Sequence, residues 1–161
     1  MAVVAITSLD EAELAARELG GPHVDVHIES VVLNEAPAMA AILSPLFEEY
    51  GWRIGNIRRL LNLAGIDEHL SVVVDVHLPR LNSDVRDPNA LALLRVSGTT
   101  IIRLARRVGG PSAADYVTFG NRITRLAHHI HQPRRNDGEL RQRIGQAVVN
   151  VNQLKGARFD F

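Results

Sequence analysis

His23, Asp25 and His27 stand two residues apart, and the same spacing returns at Asp75 and His77. Imidazoles and carboxylates are the ligands that zinc, manganese and iron take from proteins. In an extended strand residues i and i+2 share a face, so two neighbouring strands would gather all five side chains around one ion. The competing reading is two strands that each have one solvated face, where Asp and His serve as ordinary polar residues. No His-Glu-x-x-His or comparable ligand spacing accompanies the five. The reading taken is therefore no metal and no cofactor, with a metal-dependent enzyme at this Asp/His face as an alternative. Cysteine is absent, which removes disulfides, thiolate sites and thiol nucleophiles. Ser97-Gly98-Thr99-Thr100 opens an expected helix, but the glycine-rich loop and lysine of a phosphate cradle are missing, and no Gly-x-Ser-x-Gly is present. No reaction and no catalytic residue is assigned.

The second chemical feature is charge. Residues 1–100 carry 7 Arg against 14 Asp+Glu, and residues 101–161 carry 11 Lys+Arg against 4 Asp+Glu, so a net charge of zero hides a basic end. That end holds Arg103, Arg106, Arg107, Arg122, Arg125, Arg134, Arg135, Arg141 and Arg143, with His128, His129 and His131 beside them. Long guanidinium donors fit phosphate, which makes a nucleic-acid-binding regulator one reading. They equally fit the acidic part of a second copy of the chain. Lys155 is the single lysine against 17 arginines, a bias that a GC-rich genome produces.

These side chains need elements to hold them. Ser8 with Glu11 reads as a capping box, and the helix it opens ends at Gly20-Gly21-Pro22. Residues 23–29 alternate polar and apolar as a strand does. Asn34 caps a helix interrupted at Ser44-Pro45; a further helix from Trp52 ends at Gly65. A second strand is expected over 70–78, closed by Pro79. Asp87-Pro88 starts a helix through Leu94, Thr99 opens another, and a long amphipathic helix follows Ser112. The last helix carries Leu140, Ile144, Ala147, Val151 and Leu154 in a 4-3-4-3 seam, the spacing of a coiled coil. Val24-Asp25-Val26-His27 recurs as Val74-Asp75-Val76-His77, each followed by a Pro-led helix and an arginine helix, the pattern of a strand–helix–helix duplication.

Ala105-x-x-x-Gly109, followed by a second helix, resembles the helix-turn-helix of transcriptional regulators over residues 99–126. That resemblance implies a recognition helix laid on DNA. The chain departs from the pattern at Gly109-Gly110-Pro111-Ser112 and at Val117, which falls two residues late for the usual core position.

The fold expected is α+β and predominantly helical, a small sheet of two or three strands packed by five to seven helices. Residues 1–132 form the α+β domain, and 133–161 a C-terminal helix and arm that packs on that domain or on a neighbour. No apolar run is long enough to cross a bilayer, and the N-terminus lacks the basic leader of a signal peptide, so the expected home is the cytoplasm or a particle assembled there. The function expected is a non-enzymatic, self-associating structural or assembly protein of a bacterium or phage. Acidic and basic surfaces meet between copies, with Leu140, Ile144, Val151, Leu154, Phe159 and Phe161 as the interface.

Overall fold

A computed structural model describes residues 2–130 and 136–161. It is a predominantly helical α+β protein with small sheets. The chain divides into two compact units, one of residues 1–67 and 156–161, the other of residues 68–155.

In the first unit β1 (Ala2–Ile6), β2 (Val24–Ile28) and β4 (Arg53–Gly55) form a parallel sheet with β2 in the middle. Helix α1 (Leu9–Glu18) connects β1 to β2. The Ser8 hydroxyl accepts from the Glu11 amide at 3.3 Å, and the Glu11 carboxylate accepts from the Thr7 amide at 2.6 Å and its hydroxyl at 2.9 Å. The capping box therefore forms, with its return bond one residue earlier than the N-cap. Those two bonds hold the Glu11 carboxyl below its ordinary range.

The alternation read in residues 23–29 is real: Val24, Val26 and Ile28 are buried, His27 is exposed and Asp25 is half-buried. Helix α2 (Ala36–Tyr50), entered through a 3-10 turn at Leu33–Glu35, runs straight through Pro45, where a break is expected from the sequence. Burial of Met39, Ala40, Leu43 and Leu46 on both sides of the proline outweighs the single amide bond it removes. Gly51 then ends the helix at φ +66°, a left-handed conformation that glycine adopts without strain. Trp52 follows, fully buried, its indole N–H donating to the Gly21 carbonyl. Strands β3 (Ser30–Val32) and β5 (Arg158–Asp160) pair antiparallel, with Val31 opposite Phe159.

Helix α3 (Ile57–Val72) passes through Gly65, where an end is expected, and continues as a π-turn over Val73–His77 into α4 (Leu78–Ser83). Residues 70–78 are thus helical, and the second strand of the sequence reading does not exist. The strand–helix–helix duplication goes with it, because the repeated Val-Asp-Val-His is strand at 24–27 and π-turn at 74–77. Leu60, Leu63, Ile66, Leu70, Val73, His77 and Leu81 are all buried at steps of three or four, a helical stripe that outlasts the local alternation. The π-turn answers Pro79, which cannot donate to a carbonyl four residues back: Leu78 donates to Val73, five residues back.

Helix α5 spans Pro88–Val108 without a break, capped by the Asp87 carboxylate on the amides of Asn89 and Ala90. Thr99 and Thr100, expected to start a new helix, lie inside it and bond back to the carbonyls of Arg95 and Val96. The reason for Gly98 is α6 (Ala113–Ile130). A Cβ at Gly98 would meet Thr124 at 2.9 Å, and one at Gly120 would meet Ile102 at 2.5 Å. Residue 98 faces 120–124 and residue 102 faces 120, so α5 and α6 run antiparallel in contact. The segment resembling a helix-turn-helix is a closed helical hairpin. Helix α7 (Asp137–Lys155) completes the unit; the Tyr116 hydroxyl on α6 donates to the Leu154 carbonyl at 3.0 Å.

Candidate functional site

Charge divides along the same boundary as the fold. The first unit carries 5 Arg against 11 Asp+Glu, net −6, and the second carries 13 Lys+Arg against 7 Asp+Glu, net +6. Within the second unit the imbalance is sharpest on α5, which has four arginines and no acidic residue. At 100° per residue, Arg95, Arg103, Arg106 and Arg107 fall within about a third of the helix circumference. All four are exposed. Arg103, Arg106 and Arg107 border a shallow depression with Thr99 and Ile102. Arg103 and Arg107 are an i, i+4 like-charge pair, an arrangement that costs helix stability and so needs another reason to be present.

A second cluster forms where α6 meets α7. Arg122 and Arg125 from α6 and Arg143 from α7 border a groove of about 320 Å³. Its floor is apolar, made by Phe119, Ile123, Leu126 and Ala147, and its rim adds the carboxamides of Gln146 and Asn150. Helical spacing explains the convergence: Arg143, Gln146 and Asn150 step three and four residues along one face of α7. Arg143 is held by Glu139 at 3.4 Å, and Gln146 donates to Asn150 at 3.4 Å. Arg141 belongs to a different face and donates to the Asn82 carbonyl at 3.3 Å. Arg134, Arg135 and His131 lie outside the described residues, as does the side chain of His129. His128 is exposed on α6.

No protein-family model, curated protein or solved structure matches this chain.

The Asp/His cluster is not assembled. Asp25 and His27 lie on β2, where Asp25 pairs with Arg53 at 3.6 Å, and His23 precedes the strand in a left-handed conformation at φ +70°. Asp75 and His77 are on the π-turn, where residues two apart point to opposite sides instead of sharing a face as strand neighbours do. Accordingly Asp75 is exposed and His77 is buried. Among the described residues no three His, Asp or Glu side chains stand together as ion ligands. The His77 Nδ1 has no hydrogen-bond partner, and burial, then the nearby Arg80 and His69, push its imidazole below its ordinary pKa.

The interface residues of the sequence reading are largely interior to their own chain. Leu140, Ile144 and Val151 are buried in the second unit and Leu154 is half-buried. Phe159 is 2% exposed in the first unit, while Phe161 is half-buried with the Arg59 guanidinium 4.8 Å above its ring. Arg158 ties the same strand down through the Thr7 carbonyl at 2.9 Å and the Ser30 hydroxyl at 2.6 Å. Among the described residues no helix is long and apolar enough to cross a membrane.

The groove residues Phe119, Gln146 and Asn150 are absent from the candidates chosen by sequence, and Ala147 entered only as a member of the 4-3 seam. The signal for Gln146 and Asn150 was the polar stripe Glu139, Arg143, Gln146, Asn150 beside the 4-3 seam, which marks a second face of α7.

Proposed function

We propose that the chain binds nucleic acid through its second unit. The observation that carries this reading is the convergence of Arg122, Arg125 and Arg143 on one groove of a unit whose net charge is +6. Guanidinium groups take phosphate oxygens in bidentate pairs and remain charged at any physiological pH. The arginine arc of α5 supplies further phosphate-binding groups. Three of the five seam residues of α7, Leu140, Ile144 and Val151, are buried within their own unit, which leaves little of the seam for a second copy to cover. Binding of this kind weakens linearly in log–log terms with added salt, and removing one phosphate-binding arginine lowers the slope by about 0.9 on duplex and about 0.7 on single strands. Fluorescence anisotropy with labelled oligonucleotides tests it. Wild type should bind at low salt and release as salt rises, and Arg122→Glu with Arg125→Glu should abolish binding; failure to retain either DNA or RNA at low salt would remove the proposal. The cytoplasm, or a particle assembled there, is the setting this activity fits.

A second reading, self-association into a structural assembly, draws on the sheet. One face of β1-β2-β4 presents Val3, Ala5, Asp25, His27, Arg53 and Gly55, of which only Asp25 is not exposed. Parallel sheets are ordinarily covered on both faces, so this face is suited to a second copy. Sedimentation at low and high salt decides: a monomer at both would sink this reading, and a dimer that Val3→Asp splits would support it.

A further inference from the structure

We infer that the groove between α6 and α7 receives an unpaired nucleotide, so that the partner is single-stranded rather than duplex nucleic acid. This rests on the phosphate-binding reading above and adds to it the form of the ligand.

Contact with a duplex backbone requires cationic side chains on a convex or flat surface, and nothing beneath them. The α5 arc comes nearer to that description: it lies along one helix over a shallow depression whose other lining residues are Thr99 and Ile102. The α6–α7 groove does not, because between its arginines lies an apolar floor that a phosphate has no use for. Charge at the rim and apolar surface below match a ligand that is anionic at one end and flat and weakly polar at the other. A nucleotide is such a ligand: its phosphate reaches Arg122, Arg125 or Arg143, and its base lies on the floor at Ile123 and Ala147. Guanidinium planes also stack on bases, so one arginine can serve both parts.

The carboxamides place a further constraint. Gln146 donates to the Asn150 carbonyl oxygen, which leaves the Gln146 carbonyl and both Asn150 N–H groups outside that bond. A paired acceptor and donor on one helix face complements the edge of a base that has lost its Watson–Crick partner. In a duplex the base faces are stacked and the Watson–Crick edges are occupied, so the floor would find no partner and the amides could reach only the groove edges. Sequence-specific RNA recognition and single-strand binding use this combination of a charged track, a surface for base faces and amides for edges. A groove of about 320 Å³ lies at the low end of the roughly 300–1,000 Å³ of ligand-sized clefts, room for one nucleotide and not for a helix.

The test measures the full chain by anisotropy at about 50 mM salt. The probes are one labelled strand of about 12 nucleotides, within the ~4–16 that a binding surface covers, and the same strand annealed to its complement. Unlabelled mononucleotides serve as competitors. Wild type should prefer the single strand by about tenfold or more. Ala147→Leu, which fills the floor without altering charge, should bring that ratio close to one, and Gln146→Ala should lower it severalfold. A wild-type ratio near one, a ratio that neither variant moves, or displacement by mononucleotides as readily as by the strand would overturn the inference while leaving phosphate binding in place. Absence of binding to either probe would remove both readings at once.

Discussion

Gly120 lies against Gly98: a Cβ on Gly120 would stand 2.8 Å from the Gly98 carbonyl oxygen and 2.5 Å from Cγ1 of Ile102. Backbone meets backbone here, and no side-chain rotation can open the space. The α5–α6 hairpin owes its closeness to this pair, and Arg122 and Arg125 follow two and five residues after Gly120 on the same helix.

Gly120→Ala should therefore destabilise the protein by about 1–3 kcal/mol, the usual cost of overpacking, despite the higher helix propensity of alanine. Gly145 is the control. It lies inside α7 with nothing within 4 Å of its would-be Cβ, so Gly145→Ala should stabilise by about 0.5–1 kcal/mol. Urea denaturation of the two variants should give opposite signs.

His77 should make stability depend on pH. Its pKa is lower in the folded protein than its ordinary 6.5, so the unfolded chain binds the proton more tightly. The stability it contributes is whole above the unfolded value and is lost as pH falls through the folded one. Thermal midpoints should decline as pH falls below about 6.5, and His77→Leu should flatten the decline; identical slopes for wild type and variant would refute this.

Phe159 should matter to the isolated chain. It is buried opposite Val31 in its own unit, so Phe159→Ala should cost about 3–5 kcal/mol in a monomer. An arm waiting for a neighbouring copy would instead leave monomer stability unchanged, and denaturation at low protein concentration separates the two.

Arg103→Glu sets stability against binding. It turns the Arg103/Arg107 repulsion into an i, i+4 attraction with the acid on the N-terminal side, worth about 0.2–0.5 kcal/mol for the attraction and about as much again for the repulsion removed. The variant should melt higher and bind nucleic acid with a salt slope smaller by about 0.9 on duplex. A variant that melts higher and binds as before would show that the α5 arginines do not touch phosphate.

Much of the first unit was legible in the residues. Ser8 and Glu11 are close neighbours in sequence and their bonds are local, and the alternation over Val24, Val26 and Ile28 faces a core on one side only. The breaks expected at Ser44-Pro45, Gly65 and Ser97-Gly98 failed together. In each case a residue with poor helix propensity stands in a helix whose buried face continues on both sides, and burial outweighs about 1–3 kcal/mol of propensity. For the candidate site, the arginines were visible along the chain, but their grouping was not. Arg143 and Arg125 are 18 positions apart, and only the packing of α7 on α6 brings them to one groove.

The two copies of Val-Asp-Val-His mark the limit. Composition and local pattern by themselves determined that the chain is charge-divided, cysteine-free and mostly helical, with a half-buried strand at residues 23–29. Only tertiary structure decided that the first copy pairs between β1 and β4 while the second, in the middle of a buried helical stripe ending at Pro79, winds into a π-turn. Four residues cannot carry that difference. The free energy separating strand from helix lies in which distant surfaces they bury against, and it is the same long-range packing that dispersed the five metal candidates and gathered three of the arginines.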